Sequence, residues 1–428
     1  MAVRPGYKQT EVGIIPEAWT AIPLGELSEF ITSGSRGWAA FYSDQGALFI
    51  RSQNVRAGRL DFDDSQFVTP PQGAEGNRTR VKRNDLLITI TGNSVGNVAL
   101  VECEFEEAYI SQHVGLVRLS ETNLGHYVCR FLSPGSPGNS QIWASQSGQS
   151  KPGLTLRNLQ DFWVALPPTE AEQRAIATAL SDLDALLGAL ERLIAKKRDL
   201  KQAAMQQLLT GQTRLSGFHG EWGVKTLGEL FNFSGGYSAS RDQLSNEGQC
   251  YLHYGDIHGA KKTCIDTSVD YEDIPKLDIP LKQISLGSLL EDGDVVFVDA
   301  SEDIDGTSRH VVVVNKDGLP FISGLHTIVA KSKTDELAHE YRRYCFQTAA
   351  IRKQFSFYAV GTKVSGISKS NIPKLTIPVP SVPEQTAIAA ILADMDAELA
   401  ALEQRLTKTR TIKQGMMQEL LTGRTRLL

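Results

Sequence analysis

A chain of 428 residues, 41% hydrophobic and 22% charged, is too long for a single core, so two or more folded domains are expected. A net charge of −5 excludes binding of nucleic acid through bulk positive charge and leaves any such role to local clusters. No apolar run reaches the about 18 residues of a membrane span, MAVRPGYKQTEVG lacks a signal-peptide core, and five cysteines with no CxxC pair argue against disulfides and a cysteine zinc site, so a cytoplasmic protein is expected.

The first segment, residues 1–168, carries 14 basic and 16 acidic side chains and reads as rich in short strands. LLITI at 86–90 and VGLVRL at 114–119 are apolar runs bounded by Gly, Asp and Asn, with a helical pattern near 123–132. Three stretches carry polar side chains suited to base edges and phosphates. FIRSQNVRAGRLDF at 49–62 sets Arg51, Gln53, Asn54 and Arg56 around a turn; RTRVKR at 78–83 gives Arg78, Arg80 and Lys82; QIWASQSGQSKPG at 141–153 gives Gln141, Gln149 and Lys151. TGNSVGN at 91–97, with Asn93 and Ser94, is a glycine-rich loop after a strand but lacks the Lys-Ser/Thr of a P-loop, and it is equally a plain turn. Each of these side chains also fits an ordinary solvated loop.

Residues 169–215, TEAEQRAIATALSDLDALLGALERLIAKKRDLKQAAMQQLLTGQTRL, read as one long helix. Thr169 and Glu172 have capping-box spacing at its start, and Gly211 can turn left-handed to stop it. Ile176, Leu180, Leu183, Leu187, Leu190, Ile194, Lys197, Lys201, Ala204 and Leu208 alternate steps of four and three, the 3.5-residue seam of a coiled coil. Leu186, Leu193 and Leu200 add a second apolar row, expected to bury itself against a partner or a globular domain.

Residues 216–380 carry 17 basic and 21 acidic side chains and again read as strands, notably DVVFVDA at 294–300 and HVVVVN at 310–315, with a helical pattern near 335–355. Here the candidate contacts are His253, Tyr254, Asp256, His258, Lys261, Arg309, His326, Lys353, Tyr358 and Lys363. Asp299, Glu302, Asp303 and Asp305 with His310 could suggest a metal or nuclease centre, but their spacing matches no ligand pattern, so neither metal nor cofactor is expected. The segment 381–428 then repeats the long helix 212 positions on, with Ser381, Glu384 and Gly423 at the marked ends and Lys197, Lys201 matched by Thr409, Lys413 in the seam.

The repeat reaches into the globular parts. Trp19 with Leu24-Gly25-Glu26-Leu27 matches Trp222 with Leu227-Gly228-Glu229-Leu230, and Gly153 and Asn158 match Gly366 and Asn371, while the interiors diverge. Walker A, G-x-S-x-G, H-E-x-x-H, Rossmann and Asn/Asp-Pro-Pro-aromatic sequences are all lacking, so the chain reads as a binder and not an enzyme.

On these residues, Pro167 with Glu172-Gln173 and TGQTRL, Pro380 with Glu384-Gln385 and TGRTRL, both Trp…LGEL starts, and strings such as IRSQN, TGNSVGN, HYGDIHG and YAVGTKVSGIS, the chain resembles the specificity subunits of Type I restriction-modification systems. TGNSVGN has Asn97 where Lys or Arg is frequent in similar loops. The resemblance implies an α/β (α+β) fold: target recognition domains at 1–168 and 216–380, and long helices at 169–215 and 381–428 forming an antiparallel coiled coil with pseudo-twofold symmetry. It implies double-stranded DNA with a bipartite, asymmetric site as ligand and the coiled coil as spacer ruler. Two methyltransferase subunits and restriction subunits with motor activity are the implied partners. A coiled-coil scaffold or chromosome-organising protein, and a nuclease using the acidic loop at 299–310, are the competing readings.

Overall fold

The computed structural model describes residues 4–70, 73–146, 153–259, 262–301, 308–360 and 365–427. They form two compact units, Met1–Arg192 with Gln404–Leu428, and Leu193–Glu403. Each unit holds one mixed α/β domain and a stretch of both long helices, Glu170–Leu208 and Val382–Leu420, which are 39 residues each.

In the first unit the central sheet runs in the order Val98–Leu100, Leu86–Thr89, Val114–Leu119, Ser28–Ser33, antiparallel throughout. Every residue of Leu86–Thr89 is buried, which explains its unbroken apolar run in place of alternation. A second layer pairs Ala47–Ile50 parallel to Ala108–Ile110. Trp163–Leu166 then pairs with Thr20–Pro23 and leads into the first long helix.

The second unit repeats this plan. Its sheet runs Phe231–Gly235, Thr327–Ser332, Val295–Val298, His310–Val314, with Cys264–Asp266 added parallel at the edge. Gln249–Leu252 lies parallel to Phe321–Ser323, and Gly223–Thr226 pairs with Thr376–Val379. The interiors that differ in sequence therefore share one scaffold, and the register fixes equivalent positions: Leu86 faces Val117 as Val295 faces Ala330. At the start of these strands Asp85 accepts from Arg118 at 2.7 Å and Asp294 from Lys331 at 3.0 Å. The hydrogen bonds that Arg118 donates to Asp85 hold the Arg118 pKa up, whereas burial raises that of Asp294.

The long helices pack antiparallel within each unit, and every seam position of the heptad frame is buried or half-buried. A buried seam Leu or Ile contributes about 1.5–3 kcal/mol. The three lysine interruptions are paired across helices, Lys413 with Asp184 in the first unit and Lys201 with Asp396 and Lys197 with Glu398 in the second, while the Thr409 hydroxyl donates to the Arg405 carbonyl of its own helix. Arg410 with Glu191 and Arg198 with Glu403 repeat the same geometry outside the seam. Gly211 at φ 72° and Gly423 at φ 67° adopt the left-handed conformation past each helix end.

The helix starts differ from the capping-box expectation. The Glu172 backbone N–H donates to the Thr169 hydroxyl at 3.3 Å, but its carboxylate turns to Arg426 of the second TG-x-T-R-L segment, one contact being 2.7 Å. Glu384 takes Arg214 in the same fork at 2.5 and 2.7 Å. Both carboxylates are almost fully buried, 2% and 1% exposed, and a bidentate guanidinium satisfies them better than one backbone N–H. The following glutamines hold the incoming chain: Gln173 donates to the Pro167 carbonyl and Gln385 to those of Pro380 and Glu336.

Candidate nucleic-acid interface

In the first domain the end of Leu86–Thr89 and the start of Val114–Leu119 place two loops at one end of the sheet. The Ile90 N–H donates to the His113 carbonyl at 2.9 Å, which seats His113 beside Thr91. The Thr91 hydroxyl and His113 Nδ1 are hydrogen-bonded, and the Gln112 Nε2 lies 3.1 Å from His113 Nε2. Gln112 and His113 are both exposed. Asn93, on the neighbouring hairpin, is exposed and Ser94 half-buried, while Asn97 turns inward to donate to the Val55 carbonyl at 3.0 Å.

The loop after Ala47–Ile50 is held by its own acids. Asn54 is buried; it accepts from the Arg51 N–H at 2.9 Å and donates to the carbonyls of Asp61 and Asp64 at 2.9 and 3.0 Å. Arg51 pairs with Asp64 at 3.1 Å, Arg56 with Asp61 at 3.5 Å, and the exposed Gln53 bonds to the Asp64 carboxylate. Arg78 ties the end of Ser28–Ser33 to the following turn through the Thr32 hydroxyl, the Ser33 carbonyl at 2.8 Å and the Ser35 hydroxyl at 2.6 Å. Arg80 reaches the Glu106 carbonyl at 3.3 Å, and Lys82 is exposed.

Gln141 does a strand's work. Its amide donates to the Trp163 carbonyl and accepts from the Trp163 N–H, both at 2.7 Å. Gln354 does the same to Thr376, at 2.9 and 2.8 Å. Gln149 and Lys151 lie outside the described residues, as do Lys261 and Lys363.

The second domain brings four of its candidates into one cluster. His253 follows the strand Gln249–Leu252; its Nδ1 accepts from the Gly255 N–H at 3.0 Å and burial lowers its pKa. The His253 and Tyr254 ring centroids are 4.6 Å apart. Tyr254 meets the His326 ring edge to face at 5.5 Å, and His326 Nδ1 lies 3.2 Å from the Asp299 carboxylate. Asp256 completes the group through Arg241 at 3.7 Å. His258 lies on the short helix Tyr254–Gly259, with its side chain outside the described residues.

Elsewhere the candidates stand apart. Arg309 is exposed next to His310, which is buried against Phe297 and Phe346 with its pKa lowered to about 4. Lys353 is exposed on the helix Ala349–Tyr358; Tyr358 is half-buried under the Lys374 ammonium, 5.8 Å from its centroid. Among the described residues no group of His, Cys, Asp and Glu could hold a metal, and Glu302, Asp303 and Asp305 fall outside them. No helix among the described residues is long and apolar enough to cross a membrane.

Four side chains escaped the sequence reading: the half-buried Thr91 and the exposed Gln112, His113 and Arg241. A signal for His113 existed. It precedes His326 by 213 positions, the offset that also separates Gly153 from Gly366 and Asn158 from Asn371.

The sequence pattern of the family described as Type I restriction modification DNA specificity domain matches residues 16–198 and 219–410. The chain is 22% identical to the Type I restriction enzyme MjaVIII specificity subunit of Methanocaldococcus jannaschii, over 96% of this chain and 94% of that protein. It is 21% identical to the StySPI specificity subunit of Salmonella potsdam, over 96% and 89%. Its fold is similar to the crystal structure of the Type I restriction-modification S subunit from M. genitalium, with a TM-score of 0.57 at 15% identity and 98% of each chain covered.

Proposed function

Because the chain belongs to the Type I restriction modification DNA specificity domain family, we propose that it is the sequence-reading subunit of such a system, with one half of a bipartite DNA site read by residues 1–168 and the other by 216–380. The observation that carries this reading is one strand scaffold built twice, with different side chains around a shared histidine at the loop ends: Thr91 and Gln112 around His113 in one, Asp299 and Leu325 around His326 in the other. Different side chains on equal frames give unequal half-sites. Sequence is read by base-edge contacts, whereas phosphate contacts set position only.

The candidates divide accordingly. Exposed side chains, Gln53, Lys82, Asn93, Arg309, His326 and Lys353 among them, are the contact set; Asn54, Arg78 and Gln141 hold the loops and sheet that present it. In this reading the chain carries no catalytic residue, and adenine methylation comes from two methyltransferase subunits, with motor-bearing restriction subunits joining for cleavage. The row Leu186, Leu193 and Leu200, 37%, 38% and 47% exposed, is the docking stripe proposed for a partner. The equivalent positions of the second helix are Glu398, Arg405 and Ile412.

The long helices serve as the ruler for the unread spacer. Inserting one heptad into the middle of both helices, so that the seam stays in register, tests this. The methylated motif should keep its half-site letters and change its spacer; altered letters with the original spacer would contradict it.

A further inference from the structure

The two domains place a histidine at the same point of the scaffold. His113 and His326 each occupy the last position before a central strand, each accepts at its carbonyl from the N–H of the residue that follows the neighbouring strand, Ile90 or Asp299, and each ring is engaged at Nδ1. The backbone at His326 is left-handed, φ 60°, a conformation that glycine or asparagine adopts at lower cost. Among the described non-glycine residues only Asn84 shares it. Three bonds hold the turn there: the Asp299 N–H to the His326 carbonyl at 3.1 Å, the Leu325 N–H to the Tyr251 hydroxyl at 3.0 Å, and the Thr327 hydroxyl to the Gly324 carbonyl. A strained residue retained in a turn so fixed points to a task for its side chain.

What the two rings present differs. In the second domain the Asp299 carboxylate accepts from Nδ1–H, Tyr254 flanks the ring, and Nε2 has no partner among the described residues, on a side chain 48% exposed. That nitrogen accepts from a cytosine or adenine amino group when the ring is neutral and donates to guanine when it is charged. In the first domain the Gln112 amide donates to His113 Nε2, so Nδ1–H donates to Thr91 and the outward group is the rest of the Gln112 carboxamide. A free carboxamide edge matches the adenine N6 and N7 pair.

We propose that His113 and His326 are a matched base-reading position, the first reading through Gln112 and the second through its own imidazole. This rests on the sequence-reading function above and adds the residues that make the half-sites unequal.

His326→Gly separates reading from folding, because glycine relaxes the left-handed turn. The full chain carrying this change, assembled with its methyltransferase and assayed on DNA randomised in both half-sites, should lose about tenfold to a hundredfold discrimination at one letter of one half-site. The other half-site and the spacer should stay unchanged, and the melting temperature should stay level or rise. Gln112→Ala should relax one letter of the opposite half-site. Unchanged letters in a folded His326→Gly assembly would overturn the proposal. A wild-type assembly with no bipartite preference would instead overturn the function on which it rests.

Discussion

The clasps at the helix ends and the loops at the sheet ends are both built twice, and they differ in what was kept. At the clasps the side chains themselves recur: Glu172 with Arg426 beside Trp19, and Glu384 with Arg214 beside Trp222, the guanidinium carbons lying 5.8 and 5.4 Å from the indole centroids. At the sheet ends only the backbone and one histidine recur, while the partners change from Thr91 and Gln112 to Asp299 and Tyr254. A buried carboxylate tolerates only a partner that satisfies it, whereas an exposed loop is constrained by its ligand. The clasps hold the frame, and the loops are where the two domains differ, as the proposed reading of two unlike half-sites requires.

Breaking a clasp should have the largest effect. Arg214→Ala leaves the Glu384 carboxylate, 1% exposed, without its charge partner, and should destabilise the second unit by about 3–5 kcal/mol. Arg426→Ala should do the same to the first unit. Urea denaturation followed by Trp fluorescence measures both. The two losses need not be equal, because Trp222 Nε1 also donates to Glu384 at 3.1 Å whereas Trp19 Nε1 has no partner among the described residues. Losses near zero would mean the frame is held elsewhere.

A contrast in pH response comes next. His310 occupies the strand position that Val98 holds in the first domain, as the ladders of His310 with Phe297 and Val98 with Ile88 show. Burial lowers its pKa to about 4, so below the unfolded value near 6.5 the unfolded chain takes up a proton that the folded chain refuses. This contribution to stability is complete above about pH 7 and falls progressively to about pH 4, by roughly 3 kcal/mol in all. His310→Val should remove that part of the slope in chemical denaturation, and an unchanged slope would place the titration on another group.

The smallest effect on the isolated chain is expected at the exposed row. Leu193→Lys should change stability by no more than about 0.5 kcal/mol, yet weaken partner binding measured by calorimetry; the same change at Arg405, its repeat position, should leave binding close to wild type. Equal losses at both positions would make the helices equivalent docking faces.

The helices were legible because their signals are local and long: a seam kept over 39 residues can be counted along the chain. Antiparallel sheet pairing was not, since Leu86 meets Val117 and Val295 meets Ala330 across segments that no local pattern links. The same limit explains Glu172. Its spacing from Thr169 suggested a capping partner three residues away, but the stronger partner, Arg426, lies 254 positions along the chain. Gln141 looked like a loop glutamine free to meet DNA; only the folded chain shows it, and Gln354 at the matching place, closing the edge of a strand. His113 was passed over because a lone histidine in QHVGL carries no motif, although its repeat in GLHTI stood at the offset of the other matched residues.

The central claim, that one chain reads two unlike half-sites, is tested most directly by mapping adenine methylation across the genome of the source cell with and without this gene. The account predicts that one asymmetric, gapped motif disappears on deletion and returns on complementation, with its two halves separated by a fixed spacer. Loss of a continuous palindromic motif, or a map that does not change on deletion of an expressed gene, would contradict it.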